Sequence, residues 1–270
     1  PTAILLDADE TILNLPWELL GPAGRIYAQD TPFGRLVTTR TVPARGRDPL
    51  QEDARVRFLV VANPTGDLAA AADEVAAIQA LEGQHGSISI EVTVLAGAEA
   101  TRARTRDLLA SGDLDVLHFS GHAALDTERP GASAIQLADG LLTADDILRI
   151  PWPKPPGFVF GSACESGGSA AGRRLLPADR QANGLAGAFL SAGVYAYAGF
   201  FWPVTDEGAA LFTRTFYEAL FGLENVGLAF QAARQAAVRD LGAFGDLAGY
   251  GAVLYGDAAS KHRRDTYSAR

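Results

Sequence analysis

The sequence of 270 residues contains a single cysteine, four histidines and no methionine. One cysteine excludes a disulfide within the chain, which favours a reducing, cytoplasmic setting. No apolar run approaches the roughly 18 residues of a membrane-spanning helix, and no signal-peptide pattern is present. We therefore predict an intracellular protein that does not enter a membrane.

A basic stripe is also missing. The net charge is −9 with both signs interspersed, which argues against direct binding to nucleic acid or to an anionic membrane. The sequence has neither a GxxxxGK[ST] phosphate loop nor a GxSxG nucleophile elbow. Its scattered histidines and one cysteine lack the spacing of a zinc site. We predict no metal and no cofactor.

The hydrophobic pattern predicts an α/β fold. Continuous apolar runs of strand length occur at RFLVVAN (57–63), VLHFS (116–120), FVFGSA (158–163) and VYAYAGFF (194–201). Runs without alternation are typical of strands that are buried on both faces of a mostly parallel sheet. Helical stripes lie between or after them, at Ala71, Val75, Ile78 and Leu81, and at Val226, Phe230, Ala233, Ala237 and Leu241. We predict a three-layer αβα domain.

Local signals add boundaries to this scheme. Thr143 followed by Asp146 has the spacing of a capping box, and Asn183 is expected to start the helix GLAGAFL. Residues 21–56 and 165–182 are predicted to be irregular, and the arginines of the second stretch mark it as a possible site of cleavage. The apolar TAILL directly after Pro1 suggests a piece of a longer polypeptide, with one domain over residues 1–260 and a basic polar tail over 261–270.

Two reactive side chains follow two of the predicted strands. His122 comes after VLHFS, and Cys164 comes after FVFGSA. The carboxyl ends of parallel strands meet at one edge of a sheet, where ligands bind. A cysteine and a histidine at this edge are the minimum for thiolate attack on a carbonyl carbon.

Each residue also has a structural interpretation. A lone cysteine is often a packed small hydrophobe, and a histidine beside apolar residues is often part of the core. The polar, glycine-rich turn ESGG after Cys164 favours a functional role for the thiol. His122 is flanked by Gly121 and Ala123, which favours function, whereas His118 lies within the apolar run and is interpreted as structural.

Several stretches together resemble one family. They are HFSGHA with SACESG, LPWELL (15–20), VANPTGDLAAAADEV (61–75), SAIQLADGLLTADDIL (133–148), GLAGAFLSAGV (184–194) and FWPVTDEGAALFTRTFY (201–217). In this order they resemble the CHAT branch of the caspase-like cysteine peptidases, which also include separases and gingipain-type enzymes. The resemblance extends over almost the whole chain.

The resemblance implies a caspase-like fold with Cys164 as the nucleophile and His122 as the general acid/base. It implies an oxyanion site made by the backbone N–H groups of Ala123 and Cys164. Glycine is common in the family at the first of these positions, and alanine would be strained there if the site required a positive φ. Family members usually act in the bacterial cytoplasm in stress or defence systems, under the control of a fused or separate sensor module.

The residue recognised before the cut is harder to infer. Ser162 stands where caspases have a glutamine that supports an acidic side chain, so an acidic preference loses support. Glu165, Asp206 and the negative net charge favour a basic or neutral side chain, although Glu165 is equally explained as a loop cap or an ion-pair partner of Arg173. Trp202 is either a wall of the substrate cleft or a core aromatic.

Three functions are compatible with these residues. The first is a regulated cysteine endopeptidase that cleaves a protein substrate through a pair formed by Cys164 and His122. The second is a caspase-like module without catalytic activity that acts as a scaffold for partners. The third is a cysteine hydrolase or transferase for a small molecule, which would need a deep enclosed pocket. The first is the function that we predict.

Overall fold

The computed structural model describes residues 3–7, 15–36, 55–85, 88–124, 126, 129–164, 184–222, 225–245 and 247–259. The strands are β1 (Ile4–Asp7), β2 (Phe33–Leu36), β3 (Arg55–Ala62), β4 (Gly83–His85), β5 (Ile88–Ala96), β6 (Val116–Ala124), β7 (Ala134–Leu137), β8 (Gly140–Thr143), β9 (Phe158–Cys164), β10 (Ala196–Phe200) and β11 (Ala252–Tyr255). The helices are α1 (Tyr27–Asp30), α2 (Ala71–Gln79), α3 (Arg102–Ala110), α4 (Ala144–Leu148), α5 (Leu185–Ser191), α6 (Asp206–Gly222), α7 (Val226–Gly245) and α8 (Ala248–Gly251).

The described strands form one mixed sheet in the order β1-β2-β11-β10-β9-β6-β3-β5-β4. Its centre is parallel, because β5, β3, β6, β9 and β10 all run in one direction. The strands β4 and β11 are antiparallel to their neighbours β5 and β10. The hairpin β7–β8 extends from the end of β6. A mostly parallel central sheet is therefore confirmed.

Two apolar clusters cover the two faces of the sheet. One face packs against α2, α6 and α7 through residues that include Ile78, Phe216 and Phe230. The other face packs against α3, α4 and α5 through residues that include Leu109 and Phe189. Because both faces are covered, the central strands are apolar on both sides, as in other parallel sheets. The predicted αβα layering is confirmed.

Some local predictions need correction. Residues 21–56 are not wholly irregular, because α1 and β2 lie within that stretch. The strands β6 and β9 continue to Ala124 and Cys164, so the two candidate residues lie within the strand ends rather than after them. The capping box is confirmed, since the Thr143 side chain accepts from the Asp146 N–H and the Asp146 carboxylate accepts from the Thr143 N–H. Asn183, residues 165–182 and the tail 261–270 lie outside the described residues.

A buried ion pair joins the segment LPWELL to the sheet. Arg35 of β2 and Glu18 are both almost fully buried, and Arg35 Nε donates to Glu18 Oε1 at 2.8 Å. The guanidinium also donates to the Leu15 carbonyl and lies over the ring of Phe201. This pairing offsets part of the cost of burying the two charges. Among the described residues, no helix is both long enough and apolar enough to cross a membrane.

Candidate active site

The site lies where the strand order reverses. The chain passes from β3 outward to β5 and then returns to β6 on the other side of β3, so the order reverses between β3 and β6. Open parallel sheets bind ligands at such a point. His122 and Cys164 are Cα partners across β6 and β9, directly beside this point of reversal. The sheet therefore brings the two predicted residues to one rung at the expected edge.

The His122 imidazole contacts a carboxylate from the neighbouring loop. Its side chain is 16% exposed, and Nε2 lies 2.9 Å and 3.0 Å from the two carboxylate oxygens of Asp67. The Thr65 hydroxyl donates to the same carboxylate. This hydrogen bond is the main cause that lowers the pKa of Asp67 below its usual value, and the contact with His122 is the second. Asp67 is therefore ionised at neutral pH and acts only as a hydrogen-bond acceptor.

The turn that carries Asp67 is built from its own sequence, NPTGDL. Asn63 follows β3 with a φ of 45°, a left-handed conformation that asparagine tolerates better than most residues. Its N–H donates to the Ser120 carbonyl at 2.7 Å, and its side-chain Oδ1 accepts from the Leu68 N–H at 2.9 Å. Gly66, with a φ of 81°, completes the turn. The turn is thus fixed to β6, and Asp67 reaches His122 from it.

Gly121 allows this turn to approach β6 closely. A Cβ at this position would lie 2.6 Å from Phe119 Cζ and 3.2 Å from Pro64 Cδ. Any larger residue in place of Gly121 would therefore displace the ring of Phe119 or the turn.

The backbone at Ala123 is ordinary strand. Within the described chain, Asn63 is the residue other than glycine that has a positive φ, so Ala123 does not have the strained conformation considered above. Ala123 is paired with Ile135 of β7. The hairpin therefore fixes the backbone next to His122.

The remaining candidates are dispersed. Ser162 is 7% exposed, and its hydroxyl helps to lower the pKa of the buried Glu74 carboxylate. Trp202 is half-buried after β10, where its Nε1 donates to the Leu247 carbonyl at 3.3 Å. Asp206 is exposed in the first turn of α6. Glu165 lies outside the described residues. Their roles in a substrate pocket stay predictions.

Comparison with known proteins agrees with this fold. Separase from Saccharomyces cerevisiae, solved in complex with securin, aligns with a TM-score of 0.58 and 15% identity over 94% of this chain and 15% of its own. The Arg-specific cysteine proteinase gingipain R aligns with a TM-score of 0.59 and 12% identity over 89% of this chain and 57% of its own. The chain thus spans a small part of separase and just over half of gingipain. Its fold is that of the caspase-like cysteine peptidases.

The family follows from the sequence itself. Residues 2–248 match the CHAT domain, and the chain belongs to that family. No curated protein matches the chain. The resemblance to the CHAT branch is therefore confirmed.

Asp67 is not among the residues predicted from the sequence. The contact with His122 spans 55 residues and depends on the geometry of the turn after β3. A signal was present, because Asp67 follows a buried parallel strand at the same edge of the sheet as His122. The turn residues Asn63 and Gly66 also indicated that the chain reverses there.

Proposed function

We propose that the chain is a cysteine endopeptidase that cleaves a protein substrate with Cys164 as its nucleophile and His122 as its general acid/base. The observation that carries the proposal is the pairing of His122 and Cys164 as Cα partners on adjacent parallel strands. Partners in a parallel sheet share a face, which supports a thiol and an imidazole within reach of each other. The caspase-like fold and the CHAT family support the same assignment.

Asp67 is proposed as the residue that orients the imidazole. An ionised carboxylate accepts the proton of Nε2–H, so the neutral imidazole carries its lone pair on Nδ1. Nδ1 is then the atom that takes the thiol proton. The resulting imidazolium is stabilised by the carboxylate, and this favours the reactive thiolate.

The reaction follows from these roles. The Cys164 thiolate attacks the carbonyl carbon of the scissile bond, and a C–S bond forms as the carbonyl electrons move to oxygen. When the oxyanion collapses, the C–N bond breaks and His122 gives its proton to the leaving amine. Water then attacks the thioester carbonyl as His122 takes a proton from it, and a C–O bond forms. When this second oxyanion collapses, the C–S bond breaks, the carboxylic acid product is released, and the Cys164 thiolate is left beside the protonated His122, as at the start.

The backbone N–H groups of Ala123 and Cys164 are proposed to stabilise the oxyanion. The strand conformation of Ala123 supports this role, because its backbone does not have the positive φ that would be unfavourable for alanine. Trp202 and Asp206 are proposed as parts of the substrate cleft. Both follow β10, the strand next to the one that carries Cys164.

Regulation by another protein or module is part of the proposal. The similarity to a separase that was solved with securin supports control by a protein partner. A bacterial stress or defence system in the cytoplasm is the proposed setting, and residues 1–260 are proposed to form one domain. Loops at the carboxyl ends of the strands are where a partner can assemble or disrupt such a site.

The experiment compares cleavage of a proteome-derived peptide library by the unchanged protein, Cys164→Ala and His122→Ala. New amino termini, identified by mass spectrometry, are expected with the unchanged protein and are expected to be lost with both variants. Retention of the same cuts by purified Cys164→Ala would overturn the proposal. The cut sites from the unchanged protein also give the residue preference before the scissile bond.

A further inference from the structure

A buried carboxylate lies just beneath the rung of His122 and Cys164. Glu74 of α2 is 4% exposed. Ser120 of β6 and Ser162 of β9 are also Cα partners, two residues before His122 and Cys164 in their strands. We call this pair the serine rung. Residues two apart in a strand share a face and lie about 6.6 Å apart, so the serine rung is directly below the candidate pair.

The Glu74 carboxylate binds both strands at this serine rung. Ser120 Oγ donates to Oε1 at 2.5 Å, and the Ser162 hydroxyl lies close enough to the carboxylate to help lower its pKa. A third hydroxyl comes from α6, where Thr213 Oγ1 donates to Oε2 at 2.8 Å. The carboxylate therefore has two partners on the strands and one on the covering helix.

Glu74 is held in its charged form. Burial alone would raise the pKa of Glu74, but His118, Ser120 and Ser162 together lower it below its usual value. His118 Nε2 lies 3.2 Å from Oε2, although the alignment is too poor for a hydrogen bond. A buried carboxylate with several donors holds those donors in place, since each would be left unsatisfied without it.

The two acidic contacts come from one short segment. Asp67 precedes α2 and contacts His122, whereas Glu74 lies seven residues later in α2 and contacts Ser120. The segment therefore binds β6 at two successive positions on the same face. Glu74 adds the connection to β9, the strand that carries Cys164.

We infer that Glu74 is a positioning residue for the pair of Cys164 and His122. By binding Ser120 and Ser162 together, its carboxylate fixes the separation of the two strand ends on which the thiol and the imidazole stand. The inference rests on the proposed function. It adds that activity also requires Glu74, a residue that does not touch the substrate.

The test compares loss of the Glu74 partners on the two strands with loss of its partner on α6. Ser120→Ala and Ser162→Ala each remove a hydroxyl from the strand rung, and Glu74→Gln replaces the carboxylate with a neutral amide. Thr213→Val is the matched control, because it removes a buried hydroxyl from the same carboxylate without touching either strand. The measurement is the rate of Cys164 alkylation by iodoacetamide below the usual thiol pKa, with urea unfolding to compare stability.

We expect the two serine variants and Glu74→Gln to be alkylated about tenfold more slowly than the unchanged protein, because small displacements of reacting groups are costly. Thr213→Val is expected to react within about twofold of the unchanged protein while losing a similar amount of stability. Equal slowing by all the variants, or slowing by none, would overturn the inference and leave the proposed function standing.

A second readout keeps the inference testable if the unchanged protein shows no thiol reactivity at low pH. That result would count against the proposed function. Hydrogen exchange of the β6 and β9 ends then decides the inference. Faster exchange there in Ser120→Ala and Ser162→Ala than in Thr213→Val supports it, and equal exchange in the three variants overturns it.

Discussion

Asp67 Oδ1 lies 2.9 Å from His122 Nε2, although the two residues are 55 positions apart in the sequence. The contact joins the turn after β3 to the end of β6, at the point where the strand order reverses. The carboxylate thereby contacts the imidazole from the turn, while the Cα atoms of His122 and Cys164 are partners in the register of β6 and β9.

Replacing the carboxylate tests this orientation. Asp67→Asn is expected to lower kcat/KM by about 10²-fold, the lower end for positioned acid–base catalysis, because the Asp67 side chain is largely exposed. The lowered pKa of Asp67 keeps the carboxylate ionised down to acidic pH, so its contribution is lost only as the pH falls through that value. Asp73→Asn, at an exposed position of α2, is the control and is expected to have no effect. Equal kcat/KM values for Asp67→Asn and Asp73→Asn would show that Asp67 has no role in catalysis.

Gly121 is expected to be intolerant of a side chain. Gly121→Ala should lower the free energy of unfolding by about 1–3 kcal/mol, because the new Cβ meets the Phe119 ring and Pro64. Gly222→Ala is the matched control, since its Cβ would meet no atom within 4 Å, and it is expected to be neutral or to stabilise by up to about 1 kcal/mol. Urea unfolding measures both, and a neutral Gly121→Ala would contradict the close approach of the turn.

Trp202 and Trp152 form a matched pair for testing the cleft. Both are half-buried, and each donates its Nε1–H to a backbone carbonyl, but Trp152 precedes β9 at the opposite edge of the sheet. Trp202→Ala is expected to raise KM several-fold with little change in kcat, as loss of uniform substrate binding does. Trp152→Ala is expected to lower stability without a selective change in KM. A KM unaffected by Trp202→Ala would assign Trp202 to packing alone.

The charge of Glu74 predicts how stability depends on pH. Because its folded pKa is below the ordinary value, its contribution is fully present above that ordinary value and is lost as the pH falls through the lower, folded one. Glu74→Gln should therefore flatten the acid limb of stability plotted against pH, as measured by urea unfolding. Glu218→Gln, at an exposed position of α6, is the control. An unchanged acid limb in Glu74→Gln would mean that the carboxylate is not ionised in the folded protein.

The sequence predicted the buried strands well because a parallel sheet covered on both faces produces uninterrupted apolar runs. It missed β2, where the paired Arg35 interrupts the apolar pattern, and β5, where the half-buried Glu91 and the exposed Thr93 obscure it. It predicted the edge at which His122 and Cys164 meet, because strand direction alone decides this. Contacts such as Asp67 with His122 depend on turn geometry that periodicity does not encode.

Glu74 is a further example. It lies on the buried side of α2 with Ala71 and Ile78, at spacings of three and four. A carboxylate on such a stripe was a signal of a buried polar partner, but the partners are on β6, β9 and α6, which are distant in sequence. Only the folded arrangement identifies them.

The most direct test of the account is the rate of Cys164 alkylation by iodoacetamide as a function of pH, in the unchanged protein and in His122→Ala. Since the chain has one cysteine, the signal comes from Cys164 alone. We expect rapid reaction well below the usual thiol pKa of about 8.5, and loss of that reactivity in His122→Ala. Slow reaction with an ordinary pH dependence, the same in both proteins, would contradict an assembled pair of Cys164 and His122.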